Sequence, residues 1–325
     1  MENKKTKSSS KFLVIFLVIF IGIIAIFSCV MVFMISAMSS SVASYSSSDS
    51  FSISPANADI GVIEIKGPIM KIDKIIKNLE KFDASEKMKA VVVIIDSPGG
   101  AVVPSQRVYE KLKRLGKKKD IYISMENLCA SGGYYIAVAG DELWASPGTL
   151  TGSIGVIAQF IQTKELFSKI GLKTTTIKSG KFKDIGSPSR DMREDEKVLL
   201  QEMIDDTFSV FFDTVKEERL SKILEKLKVT NPGATEQDAI DFLKDKTDGR
   251  IFTGNQAIKM GFIDKIGGYD DLIDYLKEKY KLEKPKIAKI KKKSELLMLL
   301  EDITQIVNYR VYGIKSEILL KYAIM

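Results

Sequence analysis

From Phe12 to Ile35 the chain carries an apolar run without a single charged residue, dominated by Ile, Val, Phe, Leu and Met. About 20 such residues suffice to cross a hydrocarbon core. Lys4, Lys5, Lys7 and Lys11 precede the run, and no charge follows until Asp49. The positive-inside rule then leaves residues 1–11 in the cytoplasm and predicts a single-pass anchor at 12–35, with the rest of the chain outside. A cleaved leader ending near Ser41-Val42-Ala43 is the competing reading, but the run exceeds the roughly 7–15 residues of a signal-peptide core. Residues 36–57 are rich in serine and predict a flexible spacer.

Beyond the spacer, apolar runs alternate between two periods. Ile60–Lys66 predicts a short β-branched strand. Ile72, Ile75, Ile76 and Leu79 mark one face of a helix over 71–82. Ala90-Val-Val-Val-Ile-Ile-Asp96 has no alternation at all, the pattern of a strand buried on both faces of a parallel sheet. A second helix follows to about Leu115, then strands at 120–125, 142–146 and 173–178, with a helix starting near Ser131. A long helix over 194–218 and a last one over 270–281 complete the series. Strand alternating with helix predicts an α/β fold built on right-handed crossovers, a single body over 58–282. After it, residues 283–325 form a basic tail in which Lys289, Lys291, Lys292 and Lys293 precede Leu296, Leu297, Leu299, Leu300, Ile303 and Ile306 at amphipathic spacing. Such a tail suits packing against the body or another copy, or contact with anionic lipid.

Composition narrows the chemistry. The chain contains no histidine, which excludes a Ser-His-Asp triad, a Cys-His dyad and an imidazole metal site. Its two cysteines, Cys29 in the apolar run and Cys129, neither build a zinc site nor suit a disulfide, so no metal and no cofactor is expected. The net charge of +7 comes from lysines gathered at the two ends. No nucleic-acid motif accompanies it, and a membrane-flanking or solvated role fits better.

Four glycine turns follow strands or open helices. Asp96-Ser97-Pro98-Gly99-Gly100 can expose backbone N–H groups to an oxyanion or a phosphate, and it lacks the Lys-Ser/Thr ending of a phosphate loop. Cys129-Ala130-Ser131-Gly132-Gly133 places a serine where a strand turns into a helix, as nucleophile or as plain N-cap. The others are Gly148-Thr-Leu-Thr-Gly152-Ser153 and Gly180-Lys181-Phe182-Lys183-Asp184. Without histidine, a serine nucleophile needs a base such as lysine. A lysine must be neutral to act, which from a reference near 10.4 takes a downward shift of about 3 units, supplied by burial. Lys181 and Lys183 would face the same side if their segment were extended.

In this order, strand-SPGG, ASGGYY, TGSIGV and GKFKDIGSPSR resemble the S49 peptidase family, that of signal peptide peptidase A. Asp248–Ala257 and Gly261–Asp264 resemble it as well, and the likeness runs from about Ile60 to Leu272. The resemblance implies a ClpP/crotonase-like βα-repeat domain with Ser131 as nucleophile, Lys183 as base and Ser153 orienting the lysine. It implies an oxyanion hole drawn from Gly99, Gly100 and Gly132. It further implies hydrolysis of remnant signal peptides and other hydrophobic peptides at the outer face of the cell membrane. Shorter members form homo-oligomeric rings, octamers where described, in which serine and lysine can come from adjacent subunits. Cys129, just ahead of Ser131, reads as a small packed residue rather than a rival nucleophile. Two other functions stay open: a catalytically silent membrane scaffold of the same fold, and a crotonase-like acyl-thioester enzyme.

Overall fold

A computed structural model describes residue 22 and residues 51–290. The anchor predicted at 12–35, the cytoplasmic segment before it and the tail beyond 290 lie outside the described residues. Among the described residues no helix is long and apolar enough to cross a membrane.

The elements of residues 51–289 follow in chain order. They are β1 (Ile60–Lys66), α1 (Asp73–Asp83), β2 (Ala90–Ser97), α2 (Val102–Gly116), β3 (Asp120–Ala130), α3 (Gly132–Ala137), β4 (Glu142–Ala145), β5 (Leu150–Gly152) and α4 (Lys164–Lys169). The second half holds α5 (Glu194–Thr230), α6 (Glu236–Lys246), β6 (Ile251–Thr253), α7 (Gly254–Met260), β7 (Lys265–Ile266), α8 (Tyr269–Tyr280) and β8 (Ile287–Lys289). The strands form one mixed sheet in the order β6-β5-β3-β2-β1-β8, with β4 beside β3 and β7 beside β4. Every pairing is parallel except β5 with β6. This is the α/β arrangement expected of the βα alternation.

The unbroken apolar run of β2 serves two cores. Val91, Val93 and Ile95 point into the larger one with Ile121, Ile123 and Met125 of β3, under α1, α2 and α3. Ala90, Val92 and Ile94 point to the other face, where Leu272, Ile273 and Leu276 of α8 cover them. Full burial of each such side chain contributes about 1.5–3 kcal/mol, which is why this strand tolerates no polar alternation.

Two departures from the sequence reading matter for the site. Lys173–Lys178, predicted as a strand, is unpaired and exposed, because no strand among the described residues lies beside it. The helix predicted over 194–218 runs on to Thr230, 37 residues in all. It is held at Phe211, Val215, Arg219 and Ile223, whose four-residue spacing keeps one face on the core. Arg219 is buried within that stripe. Its guanidinium forks onto Asp264 (2.9 and 3.0 Å) and donates twice to the Gly261 carbonyl, joining the helix to the turn after α7.

The two ends of this unit meet at one edge. Ser52 N donates to Lys289 O (2.7 Å), Ser52 Oγ donates to Ile287 O, and Lys289 N donates back to Ser52 Oγ (3.0 Å). β8 thereby lies parallel to β1 over three register pairs.

Candidate active site

The site forms where β2, β3 and β5 end. Ser97 closes β2 with a fully buried side chain. Its hydroxyl donates to Gly67 O (2.7 Å) and accepts from Gly99 N (3.1 Å), which fixes the turn that follows. Gly99 sits at φ +97, a conformation a β-carbon resists. Gly100 then bridges to Ile69, whose N–H donates to Gly99 O and whose carbonyl accepts from Ala101 N. In a parallel bridge of this kind the N–H of Gly100 itself faces away from Ile69.

β3 reaches the site by way of an irregularity. Its pairing with β2 shifts register between Ile95 and Ser97, and the carboxylate of Asp96 accepts from Leu128 N and Asn127 Nδ2 at 3.2 Å across the shift. The strand then changes partner, leaving β4 after Met125 and pairing with β5 from Leu128 to Ala130. One residue later stands Ser131, at φ 52 and ψ −122. A non-glycine residue in such a region costs on the order of 1–3 kcal/mol and is found mostly where function needs it. Ser131 N donates to Gly152 O (2.9 Å), so the turn is held from β5.

Ser153 mirrors this arrangement. Ala130 and Gly152 are the last register pair of β3 and β5, so Ser131 and Ser153 each stand one residue past it. Ser153 also has a positive φ, of 50°, and its N–H donates to Arg250 O.

The glycines are packed too closely for any side chain. A β-carbon on Gly99 would lie 2.6 Å from Gly132 N and 2.8 Å from Ser131 Cβ. One on Gly132 would lie 2.5 Å from Ser105 Oγ and 3.3 Å from Gly100 N. The amides of Gly100 and Gly132 therefore stand side by side. Gly132 opens α3, so its N–H has no partner within the helix. Gly100, Ser131, Gly132 and Ser153 all line one cleft of about 310 Å³. Val102, Tyr135 and Phe211 give it an apolar wall, and Ser105, Gln106 and Thr207 add polar groups. The Tyr135 ring stacks edge-on against Phe211 and Tyr109, with its hydroxyl 3.1 Å from Thr214 Oγ1.

Of the residues expected at the site, Ser131, Ser153, Gly100 and Gly132 come together on this cleft. Gly99 is adjacent, but its N–H is engaged by Ser97. Lys183 is not among the residues lining the cleft. It is exposed, in a series of turns closed by Lys183 N to Gly180 O and Ile185 N to Phe182 O. Because the segment is coiled rather than extended, Lys181 and Lys183 do not share an environment. Lys181 pairs with Asp195 at 2.5 Å and lies over the Phe182 ring. The side-chain nitrogen of Lys183 forms no hydrogen bond or ion pair within the described residues.

Cys129 is wholly buried, and its burial pushes the thiol well above its ordinary range. A thiol kept protonated is a poor nucleophile. Among the described residues no group of three or more metal-binding side chains occurs.

Sequence reasoning missed Ser97, Asp96 and Phe211. Ser97 stands inside the SPGG motif, but its tie to Gly67, 30 residues earlier, appears only in the fold. Phe211 comes from a helix 80 residues further along the chain than Ser131, and nothing local marks it.

The profile of Peptidase family S49 matches residues 113–283, and that of Clp protease matches residues 58–147. A Synechocystis protein provisionally named as the protease slr0021 is 38% identical over 217 residues, covering 65% of this chain and 71% of that protein. A protein of Enterococcus faecium, provisionally named signal peptide peptidase SppA, is 34% identical over 63% of this chain and 55% of its own length. The chloroplastic serine protease SPPA of Arabidopsis thaliana is 29% identical over 78% of this chain but only 35% of its own length. This chain thus spans about half of the Enterococcus protein and a third of the Arabidopsis one. With an S49 match over more than half of its length and a ClpP-like sheet beneath it, the chain belongs to peptidase family S49.

Proposed function

We propose that this chain is a serine endopeptidase that cleaves hydrophobic peptides, remnant signal peptides among them, with Ser131 as nucleophile and Lys183 as general base. The observation that carries the reading is the turn at Ser131. A strained serine, its hydroxyl unengaged among the described residues, stands beside two amides, Gly100 N–H and Gly132 N–H, at the mouth of an apolar cleft. Ser131 Oγ attacks the scissile carbonyl, and the developing oxyanion takes hydrogen bonds from those two amides. Gly99 drops out of the oxyanion hole in this reading, since its N–H is already used. The base removes the serine proton and returns it to the leaving amine. Ser153, beside Ser131 on the cleft, is suited to orient the lysine.

Lys183 lies off the cleft of its own chain, so we assign the base to a neighbouring copy. Two features support that assignment. The segment from Ile157 to Phe182 exposes a series of apolar residues, with Ile157 at 81%, Ile161 at 79% and Ile177 at 96%. Its stretch Lys173–Lys178 has strand composition but no partner among the described residues, and an adjacent copy would supply one. A closed homo-oligomeric ring, an octamer in this proposal, would join each Ser131 to its neighbour's Lys183. The anchor read at 12–35 would hold the ring at the outer face of the cell membrane, where cleaved signal peptides are released.

Mixing tests this directly. Ser131→Ala and Lys183→Ala chains are each expected to be inactive on a fluorogenic hydrophobic peptide. Co-assembled, they are expected to recover activity, because some interfaces then pair an intact serine with an intact lysine. Full activity of an isolated monomer would refute the shared dyad, and activity of Lys183→Ala would refute the base.

A further inference from the structure

Several side chains fasten the loop carrying Lys183, and among the described residues Arg190 makes the most hydrogen bonds to do so. Arg190 Nε donates to Asp184 Oδ2 (2.8 Å), and Nη2 donates to the Asp184 carbonyl (3.0 Å). The same guanidinium forks onto Glu196 (2.8 and 2.5 Å) and reaches Asp191 O (3.0 Å). A guanidinium has five N–H donors, and here all of them are used. Glu196 is fully buried in the first turn of α5 and also accepts from Arg193 N (2.9 Å), so the clamp is set in the helix start. Asp184, the residue immediately after Lys183, is therefore held by both its backbone and its side chain.

We propose that Arg190 is a positioning residue for Lys183, fixing the course of the loop through Asp184 and withholding that carboxylate from the lysine. The proposal rests on the reading of Lys183 as base. Asp184 is the nearest carboxylate in sequence, and free of Arg190 it would pair with Lys183 and favour the charged ammonium, which is useless as a base. Arg190, with Lys178 as a second partner, satisfies it instead and holds its carboxyl well below the usual range. The other charged groups of the loop are already matched. Lys181 pairs with Asp195, Arg193 with Asp195 and Glu196, and Lys164 with Asp191. Lys183 is left as the basic side chain between 178 and 193 without a partner among the described residues. Lysine could not replace Arg190 in this role, because a single ammonium cannot reach both carboxylates and the Asp184 carbonyl with a planar fork.

The test compares pH profiles of kcat and kcat/KM for the assembled full chain on a fluorogenic hydrophobic peptide. Arg190→Gln is expected to lower kcat about 10–100-fold with KM within threefold, as a misplaced base does. Its acidic limb is expected to rise by about one pH unit as Asp184 turns to the lysine. Adding Asp184→Asn to Arg190→Gln is expected to bring the limb back without restoring kcat. Arg190→Lys is expected to keep the limb but not the rate, separating charge from position. A purely structural role predicts a lower rate with the limb unmoved in every variant, and that result would overturn the proposal. Should Arg190→Gln fail to assemble, Asp184→Asn alone decides, because it leaves Arg190 on Glu196. Its limb is expected to stay at the parent's position, because Arg190 already withholds that carboxylate, and a limb that falls by about one pH unit overturns the proposal. Lys183→Ala run in parallel separates the two ideas. If it is inactive while the Arg190→Gln limb stays fixed, only the positioning role fails; if it is active, the base assignment fails with it.

Discussion

Replacing Ser97 with alanine removes one oxygen from the floor of the site, and its consequences can be worked from two distances. The hydroxyl donates to Gly67 O at 2.7 Å and accepts from Gly99 N at 3.1 Å, in a fully buried position. Alanine leaves both backbone groups without that partner, at about 1–3 kcal/mol for each buried group left unsatisfied. Water can reach Gly67, which is half-buried, so a total of about 2–4 kcal/mol is expected. For a body of this size that corresponds to a fall in Tm of roughly 4–16 °C. Ser105→Ala provides the contrast. Its hydroxyl donates to Ala101 O, a carbonyl that already accepts from Ser105 N, so its loss orphans no backbone group and is expected to cost under ~1 kcal/mol. Activity should separate the pair in the same direction. Without Ser97 the Gly99 amide is released and the turn presenting Gly100 loosens, so kcat is expected to fall about 10–100-fold, short of the full loss of an oxyanion donor. Denaturant unfolding at fixed protomer concentration and peptide hydrolysis measure the two effects. Equal losses from the two serines, or a Ser97→Ala protein within 1 kcal/mol and twofold in kcat of the parent, would refute the reasoning.

Ser131→Gly should be inactive yet more stable than the parent by about 1 kcal/mol, since glycine adopts φ +52 without strain; a chemical denaturation midpoint reads the sign. Cys129→Ala should keep at least a third of the peptidase rate at a cost of about 1–2 kcal/mol for the small void, and the parent thiol should resist a thiol reagent until the protein unfolds. Acid should release the Lys183 loop before the sheet. Arg190 lowers the carboxyls of both Asp184 and Glu196, so their stabilisation is complete above the unfolded values near 4 and declines as pH falls from there through the lowered values, about 2 for Glu196. Hydrogen exchange over residues 180–196 at pH 3, compared with pH 6, should show protection lost there while β2 stays protected.

The fold was most legible where burial is two-sided or strictly periodic. The run Ala90–Asp96 could only be an interior parallel strand, and α1, α2 and α8 followed from their apolar spacing. Ser131 and the SPGG turn were legible because glycine at a strand end answers a local demand, a positive φ or a close approach. What escaped was set by distant partners. Residues 173–178 have the composition of a strand, but a strand exists only when something pairs with it, and the described residues offer nothing. The short strands β5, β6 and β7 are too brief for periodicity to register and owe their form to the neighbours they join. The extension of α5 past Glu218 depends on Arg219 finding Asp264 and Gly261, 45 and 42 residues away. Arg190 stood inside a motif already noticed, yet its role became visible only with Glu196 brought beside it.

The clasp between Ser52 and Lys289 bears on how the chain acquires and loses its fold. It joins residues 237 apart, so closing it costs loop entropy of about 5 kcal/mol against a few hydrogen bonds and three register pairs. Such a contact forms late and opens first. While it is open, the outer edge of β1 is bare, and Ile60-Gly-Val-Ile-Glu-Ile offers another chain an unpaired template of high β-propensity. The step at which nascent copies are most exposed to misassociation is thus the final one, when the last three-residue strand seals the sheet and leaves association to the surfaces meant for it.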